Sequence, residues 1–267
     1  AWGREVARAI EAAHEAGAAL DLTPRGADCP GEALPTGSHR LPSGTQVSAL
    51  PGYAAGEWWV QDAAAALAVR VLDPQPEETI ADLCAAPGGK TLQLAAAGAR
   101  VTALDISESR LARVAENLAR CQLSAEIALG DALAWRPDQP LDAVLLDAPC
   151  SATGTIRRHP ELPLIRDGAG LAELTALQAR MLDHAASLLK PGGRLVYATC
   201  SLLPAEGEDQ LAAVLTRHPD LTVEPPDVPG IDPAWITPQG GLRLRPDLWP
   251  ERGGMDGFFI VRLRKSA

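Results

Sequence analysis

The chain has 267 residues, enough for one large α/β domain with a smaller appendage, and its 46% hydrophobic and 4% aromatic content describes a core of Ala, Leu and Val. No run approaches the ~20 apolar residues of a membrane span, and Ala1-Trp2-Gly3-Arg4-Glu5 has no basic segment followed by an apolar one, so neither a membrane anchor nor a signal peptide is expected. Against 24 Lys and Arg stand 34 Asp and Glu, a net charge of −10. Charge alone therefore favours a small-molecule substrate, because nucleic-acid binders are mostly basic.

The cysteines, Cys29, Cys84, Cys121, Cys150 and Cys200, contain no C-x-x-C pair, which points to neither a metal site nor a disulfide framework. A reducing cytoplasm is the expected setting, and it keeps thiols available for chemistry. The chain starts at Ala rather than Met, so it reads as a fragment or a processed form.

Residues Ala1 to Ala18 predict a helix with Val6, Ile10 and Ala13 on one face, followed by a short strand, Leu20–Pro24. Residues 25–56 are rich in Gly, Pro and Ser and predict a loop-rich subdomain, giving a small α+β unit over 1–57 and a main domain over 58–267. Trp58 and Trp59 are packing residues at their junction, leading into an Ala-rich helix that Asp73-Pro74 stops near Leu72. Strands then alternate with helices: Thr79–Leu83, Arg100–Leu104, Glu126–Leu129, Leu141–Leu146 and Arg194–Ala198 with helices Lys90–Ala97, Glu108–Cys121, Leu171–Leu189 and Ala205–Thr216. Leu221–Glu224 and Gly257–Leu263 close the pattern as an antiparallel hairpin with a long insertion. The class is α/β, a Rossmann-like sheet of seven mostly parallel strands with an antiparallel terminal hairpin, which fits the class I S-adenosylmethionine-dependent methyltransferase fold.

The loop Asp82-Leu83-Cys84-Ala85-Ala86-Pro87-Gly88-Gly89-Lys90-Thr91 allows three nucleotide-site readings. A phosphate-binding loop matches Gly89-Lys90-Thr91 but has Cys84 where its first Gly belongs. A dinucleotide fingerprint would need more than the adjacent Gly88-Gly89. A methyltransferase loop would bring backbone to the methionine part of the cofactor. Asp105 separates them: it ends the second strand, 17 residues beyond Gly88, where a carboxylate can accept both ribose hydroxyls. Asp131, after the third strand, is placed to meet the adenine amine. Simpler roles are a helix cap for Asp105 and a turn for Asp131. Cys84 and Pro87 shape the loop without chemistry of their own.

Two cysteines follow two of the strands, in Asp147-Ala148-Pro149-Cys150 and Thr199-Cys200-Ser201. Strand carboxyl ends face the ligand crevice of an open α/β sheet, so both thiols converge on one site. Thiolate addition to C6 of a pyrimidine makes C5 enamine-like and able to attack an activated methyl group. An acid near N3 is then needed, which Asp147 can supply if its carboxyl pKa is raised. Either cysteine alone could equally be a small core residue. Lys90, a cation at a helix N-terminus, opposes the helix dipole and is placed to pair with Asp147 or to lower a thiol pKa. Basic patches that could serve RNA are Arg157-Arg158-His159, on phosphates beside the catalytic loop, and Arg243, Arg245 and Arg252; Arg262 and its neighbours read as surface charge.

The loop Asp82–Thr91 together with Leu146-Asp147-Ala148-Pro149-Cys150-Ser151-Ala152-Thr153-Gly154, Arg157-Arg158-His159-Pro160 and Tyr197-Ala198-Thr199-Cys200-Ser201 resembles the RNA 5-methylcytosine methyltransferases of the NOL/NOP/Sun family, from about Gly52 to Arg264. Arg157–Pro160 and Asp256-Gly257-Phe258-Phe259 are similar to its bacterial RsmB (Sun, Fmu) branch, which modifies small-subunit ribosomal RNA. The resemblance implies S-adenosylmethionine contacts from Cys84, Ala85, Ala86, Pro87, Gly88, Gly89 and Lys90 and from Asp105, Asp131 and Asp147. It also implies that Cys200 is the nucleophile and that Cys150 assists release of the methylated base, an order that residue chemistry alone leaves open. The 1–57 unit is then expected to face RNA, and the protein to act as a monomer without metal. The resemblance also leads one to expect an N-terminal helical RNA-binding domain, which this chain is expected to lack or to have lost; that would account for the acidic balance and weaken its own RNA affinity. The alternatives are a phosphate-loop nucleotide hydrolase and a non-catalytic RNA-binding assembly factor.

Overall fold

The computed structural model describes residues 2–26, 29–165 and 167–267. Helix α1 (Gly3–Ala16) buries Ile10, and Gly17 at φ 75° ends it; Ala1, counted in the expected helix, lies outside the described residues. Strands β1 (Leu20–Pro24), β2 (Glu32–Ala33), β3 (His39–Leu41) and β4 (Trp58–Val60) form a four-stranded sheet in the order β2-β3-β1-β4. Because β4 pairs with β1, Leu22 opposite Val60 and Pro24 opposite Trp58, the boundary expected after residue 57 falls inside the small sheet. Trp58 and Trp59 are both buried there, as packing residues should be.

The main domain follows in order: α2 (Ala63–Leu72), β5 (Thr79–Leu83), α3 (Gly89–Ala96), β6 (Arg100–Asp105), α4 (Glu108–Arg120), β7 (Glu126–Leu129), β8 (Leu141–Asp147), α5 (Leu162–Ile165), α6 (Leu171–Ser187), β9 (Leu189–Thr199), α7 (Glu208–Arg217), β10 (Leu221–Glu224), β11 (Leu242–Leu244) and β12 (Phe258–Lys265). Its sheet runs β10-β12-β9-β8-β5-β6-β7, with β11 paired to the same edge of β12 as β10 but further along it. Strands β9, β8, β5, β6 and β7 are parallel and β12 is antiparallel. This is the expected class I Rossmann-like methyltransferase fold. One face is covered by α2, α3 and α4, the other by α6 and α7.

Several elements depart from expectation, among them β2, β3 and β4, in stretches not read as strands, and β9, which begins at Leu189 rather than Arg194. The helical turn α5 and the strand β11 have too few periodic residues to be seen in sequence. The helix expected over Ala205–Thr216 splits into a 3-10 turn, Pro204–Glu206, and α7. The break is at Gly207, where a Cβ would come within 2.4 Å of the Arg243 guanidinium and 2.8 Å of the Phe259 ring.

A buried charge cluster binds the two sheets. Arg157 is 5% exposed, and its guanidinium reaches Asp62 Oδ2 at 2.7 Å and Asp256 Oδ1 at 2.6 Å. Arg158 contacts the same two carboxylates at 2.6 and 2.8 Å. Burial would raise the Asp62 pKa, but the two arginines outweigh it and hold it below the usual range; burial and the nearby Asp62 push Asp256 up. Beside them Arg40 binds Asp21 and donates to the carbonyl oxygens of Arg252 and Gly254. The expected RNA-phosphate role of Arg157-Arg158 is thus corrected: both are consumed by carboxylates, and of the three only His159 lies exposed. The other expected basic patch is neutralised too, Arg243 by Glu208, Arg245 by Asp247 and Arg252 by Glu32. Arg262, expected as surface charge, is largely covered and paired with Glu224.

Removing one partner of a buried pair leaves uncompensated charge. Arg157→Ala should therefore cost about 3 kcal/mol in urea unfolding, and Arg158→Ala, partly exposed, should cost less. The reverse order would contradict this account of the cluster.

Candidate active site

The strand order reverses between β5 and β8, which have further strands on opposite sides and helical connections on opposite faces; at such a point the strand ends leave an open crevice. Leu83 is in register with Leu146, and Asp147 with Ala198. The segments that follow these three strands, at 84–90, 148–151 and 200–203, therefore emerge level with one another. The first begins with Cys84 at φ 64°, a left-handed conformation that is rare outside glycine. It continues through Gly88 at φ 105°, the residue before α3. Cys84 thus occupies in left-handed form the position where a phosphate loop would have glycine. Burial and the surrounding carboxylates Asp147, Asp105 and Asp82 push its thiol up to about 12, in keeping with a role in loop shape alone.

Asp105 is buried and accepts the backbone N–H groups of Ala86 at 3.2 Å and Ser107 at 3.0 Å, with Arg110 at 3.5 Å. The side chain that caps α4 is that of Ser107. Asp131 is exposed and accepts the Leu133 N–H at 2.8 Å. A cavity of about 570 Å³ contains Cys84, Ala86, Asp105, Asp131, Asp147, Cys150 and Cys200 in its lining, together with Ile106. Ile106 is 73% exposed, an apolar wall beside the Asp105 carboxylate that sequence reasoning passed over. A second cavity of about 540 Å³ shares Cys84, Ala86, Asp147 and Cys200 and adds Ala85, Pro87, Gly89, Lys90, Tyr53 and Trp59. A larger one of about 700 Å³, beside α5 and the start of α6, touches the thiol loop at Ser151 and Thr153 and includes neither cysteine.

The Cys150 and Cys200 sulfurs lie 3.3 Å apart. The loops that carry them are bonded to each other: Gly154 N–H donates to the Cys200 carbonyl at 3.0 Å, and Leu202 N–H to Thr153 Oγ1 at 2.9 Å. A Cβ at Gly154 would sit 2.0 Å from the Gly257 carbonyl oxygen, so only glycine permits this approach. The hydrogen bond to Cys200 and burial push the Cys150 thiol well above its ordinary value.

Lys90 Nζ donates to Asp147 Oδ2 at 2.7 Å, one of the two roles anticipated for it. Burial would lower its pKa, but Asp147, Asp82 and the Cys200 sulfur outweigh that and raise it. Burial raises the Asp82 carboxyl to about 7, although Thr91 Oγ1 donates to its Oδ2 at 2.6 Å and Lys90 lies near. Its Oδ1 is buried without a hydrogen-bond partner. Asp82, Asp62 and Asp256 were not foreseen as parts of this site. The motif contained the first, and the arginine partner of Asp62 is 95 residues away, beyond the reach of local patterns. Among the described residues no cluster of His, Cys, Asp and Glu could hold a metal ion, and no helix is long and apolar enough to cross a membrane.

Residues 69–264 match the family model described as 16S rRNA methyltransferase RsmB/F. The chain belongs to the RsmB/F family. Among RsmB/F relatives, ribosomal RNA small subunit methyltransferase B of Erwinia tasmaniensis is 45% identical over 232 residues, covering 85% of this chain and 51% of that protein. This RsmB/F chain thus spans about half the length of the curated relatives it matches. A methyltransferase homolog protein from Pyrococcus horikoshii superposes with a TM-score of 0.81 at 28% identity, covering 98% of this chain and 91% of that one. NSun6 from the same organism, solved with SFG, gives 0.72 at 28% identity over 86% and 60%. The resemblance read from the motifs is thereby established, and the phosphate-loop reading is left without support.

Asp82 yields a pH prediction. Its folded pKa of about 7 exceeds the ordinary ~4 of an unfolded Asp. Between those values the folded state holds the extra proton, so stability falls as pH rises through this window. Asp82→Asn should shrink the difference in unfolding free energy between about pH 5 and about pH 8; an unchanged difference would remove Asp82 as its source.

Proposed function

We propose that this chain carries the catalytic unit of an enzyme that transfers a methyl group from S-adenosylmethionine to C5 of a cytosine in small-subunit ribosomal RNA. The observation that carries the reading is the pair of sulfurs 3.3 Å apart at the strand switch point, beside the Lys90–Asp147 ion pair. The residues present fit the cofactor. Asp105 offers a carboxylate for the ribose hydroxyls, Asp131 an acceptor for the adenine amine and Ile106 an apolar wall. Asp82 Oδ1, buried and unpartnered, matches an ammonium group, and the backbone of Cys84 to Gly89 lies beside it. S-adenosylmethionine, when bound, supplies an electrophilic methyl on a sulfonium.

The rest belongs to the chain's own residues. The Cys200 thiolate adds to C6, forming an S–C bond and placing electron density at C5. The Lys90 ammonium, bonded to Asp147, is the proton source: its proton passes through that carboxyl to N3 during addition. Once C5 carries the methyl, its proton leaves to water in the crevice, N3 returns its proton to the Asp147–Lys90 pair, and the Cys200–C6 bond breaks, restoring the ring and regenerating the thiolate. We assign Cys150 to assist that release, since its sulfur lies 3.3 Å from the leaving sulfur. The small sheet presents Tyr53 and Trp59 to the second cavity, which supports an RNA-facing role for this unit. Arg120, stacked 4.5 Å from the Tyr53 ring centroid, adds a cation there.

Cys200→Ser should abolish methyl transfer and leave no covalent complex with RNA. Cys150→Ser should accumulate a denaturant-resistant protein–RNA adduct, read by gel electrophoresis. Adduct-free loss in both variants would refute the division of labour. Bisulfite mapping of small-subunit ribosomal RNA from cells with and without the protein should show one cytosine that loses protection. Normal cofactor binding with no such site would instead favour the non-catalytic assembly role.

A further inference from the structure

Glu206 is wholly buried and has no part in the chemistry above, yet its carboxylate touches both thiol loops. It accepts the Ser151 backbone N–H at 2.8 Å and the Ser151 hydroxyl at 2.5 Å. It also accepts the Ser201 hydroxyl at 2.5 Å and the Gln178 amide at 3.0 Å. Ser151 follows Cys150, and Ser201 follows Cys200. Gln178 donates in turn to the Pro149 carbonyl at 2.8 Å, so the Cys150 loop is gripped on both sides of its sulfur. The base of the clamp is anchored as well: the Glu206 carbonyl accepts Tyr197 OH at 2.9 Å and Thr199 Oγ1 at 3.0 Å, both on β9. Among the described residues no cation pairs with this carboxylate. A buried carboxylate served only by neutral donors is costly unless each bond is made, and here every donor comes from, or holds, a segment next to a thiol.

We infer that Glu206 is a positioning residue that sets the separation of the Cys150 and Cys200 sulfurs and so governs the handover from addition at Cys200 to release through Cys150. The handover rests on the two-thiol reading above, whereas the sulfur separation does not. Glu206→Gln keeps the shape but turns an amide donor toward the Ser151 and Ser201 hydroxyls, which must rotate to accept, so the charge-assisted bonds of the clamp become neutral and weaker.

The test has two arms. In the first, purified protein without RNA is treated with diamide, whose azo group takes two electrons and two protons from the thiols to give a hydrazine and the Cys150–Cys200 disulfide. Peptide mass spectrometry should show that disulfide forming about 10-fold more slowly in Glu206→Gln than in the natural chain, with the melting temperature and S-adenosylmethionine affinity preserved. Ser151→Ala and Ser201→Ala remove one arm each and should give smaller delays, and they carry the test if Glu206→Gln does not fold. Equal rates in all variants would overturn the proposal. In the second arm, kcat on ribosomal RNA transcripts should fall by about 100-fold with KM for RNA and cofactor unchanged, and the adduct should persist. In the Cys150→Ser background the same substitution should add no further delay to release; a full additional delay would overturn the handover. Slower disulfide formation together with methylation that survives Cys200→Ser would sink the two-thiol reading and leave the clamp standing.

Discussion

Three parallel strands ending at one level are the constraint from which the rest of this molecule follows. The ladder places Leu83 beside Leu146 and Asp147 beside Ala198. A shift of one residue in β8 or β9 would turn every side chain to the opposite face and send one sulfur into a helix layer. Because the strands are apolar on both sides and covered by α2, α3 and α4 on one face and α6 and α7 on the other, such a shift is excluded by burial. The thiol spacing is in this sense inherited from packing far below the crevice and refined locally at Glu206.

The acidic balance takes on a different meaning once the arginines are located. Arg40, Arg157, Arg158, Arg243, Arg245, Arg252 and Arg262 are all in ion pairs with Asp or Glu. They serve as internal fasteners, which a guanidinium does well because its planar fork matches a carboxylate. Asp62 does two jobs at once, capping α2 through the Ala64 N–H at 2.8 Å and accepting both arginines of the catalytic loop. The orientation of the small sheet and the course of the loop after Cys150 are thereby tied to one carboxylate.

Much of this was legible beforehand. The alternation of apolar runs with capped helices gave the parallel sheet, since strand and helix periods differ and Pro, Gly and Ser punctuate them. Asp105, Asp147, Cys150 and Cys200 were expected in one crevice because each ends or follows a recognisable strand and strand ends converge, and all four line one cavity. What escaped was set by contacts distant in sequence. The fate of Arg157 depends on Asp256, 99 residues on, and local reading takes a charged pair in a loop as solvent-facing. The extent of the small sheet depends on Trp58 finding Pro24. The break at Gly207 depends on Phe259, and with it the inward turn of Glu206.

The contact between Gly154 and Gly257 has a further consequence. Gly257 N–H donates to the Gly154 carbonyl at 2.8 Å, and the segment it belongs to leads into β12, which is inserted between β9 and the β10 and β11 edge. The loop behind Cys150 thus leans on backbone that comes more than a hundred residues later. The crevice is therefore complete only when β12 is docked, so reactivity of the two thiols toward electrophiles should report the integrity of this carboxyl-terminal strand.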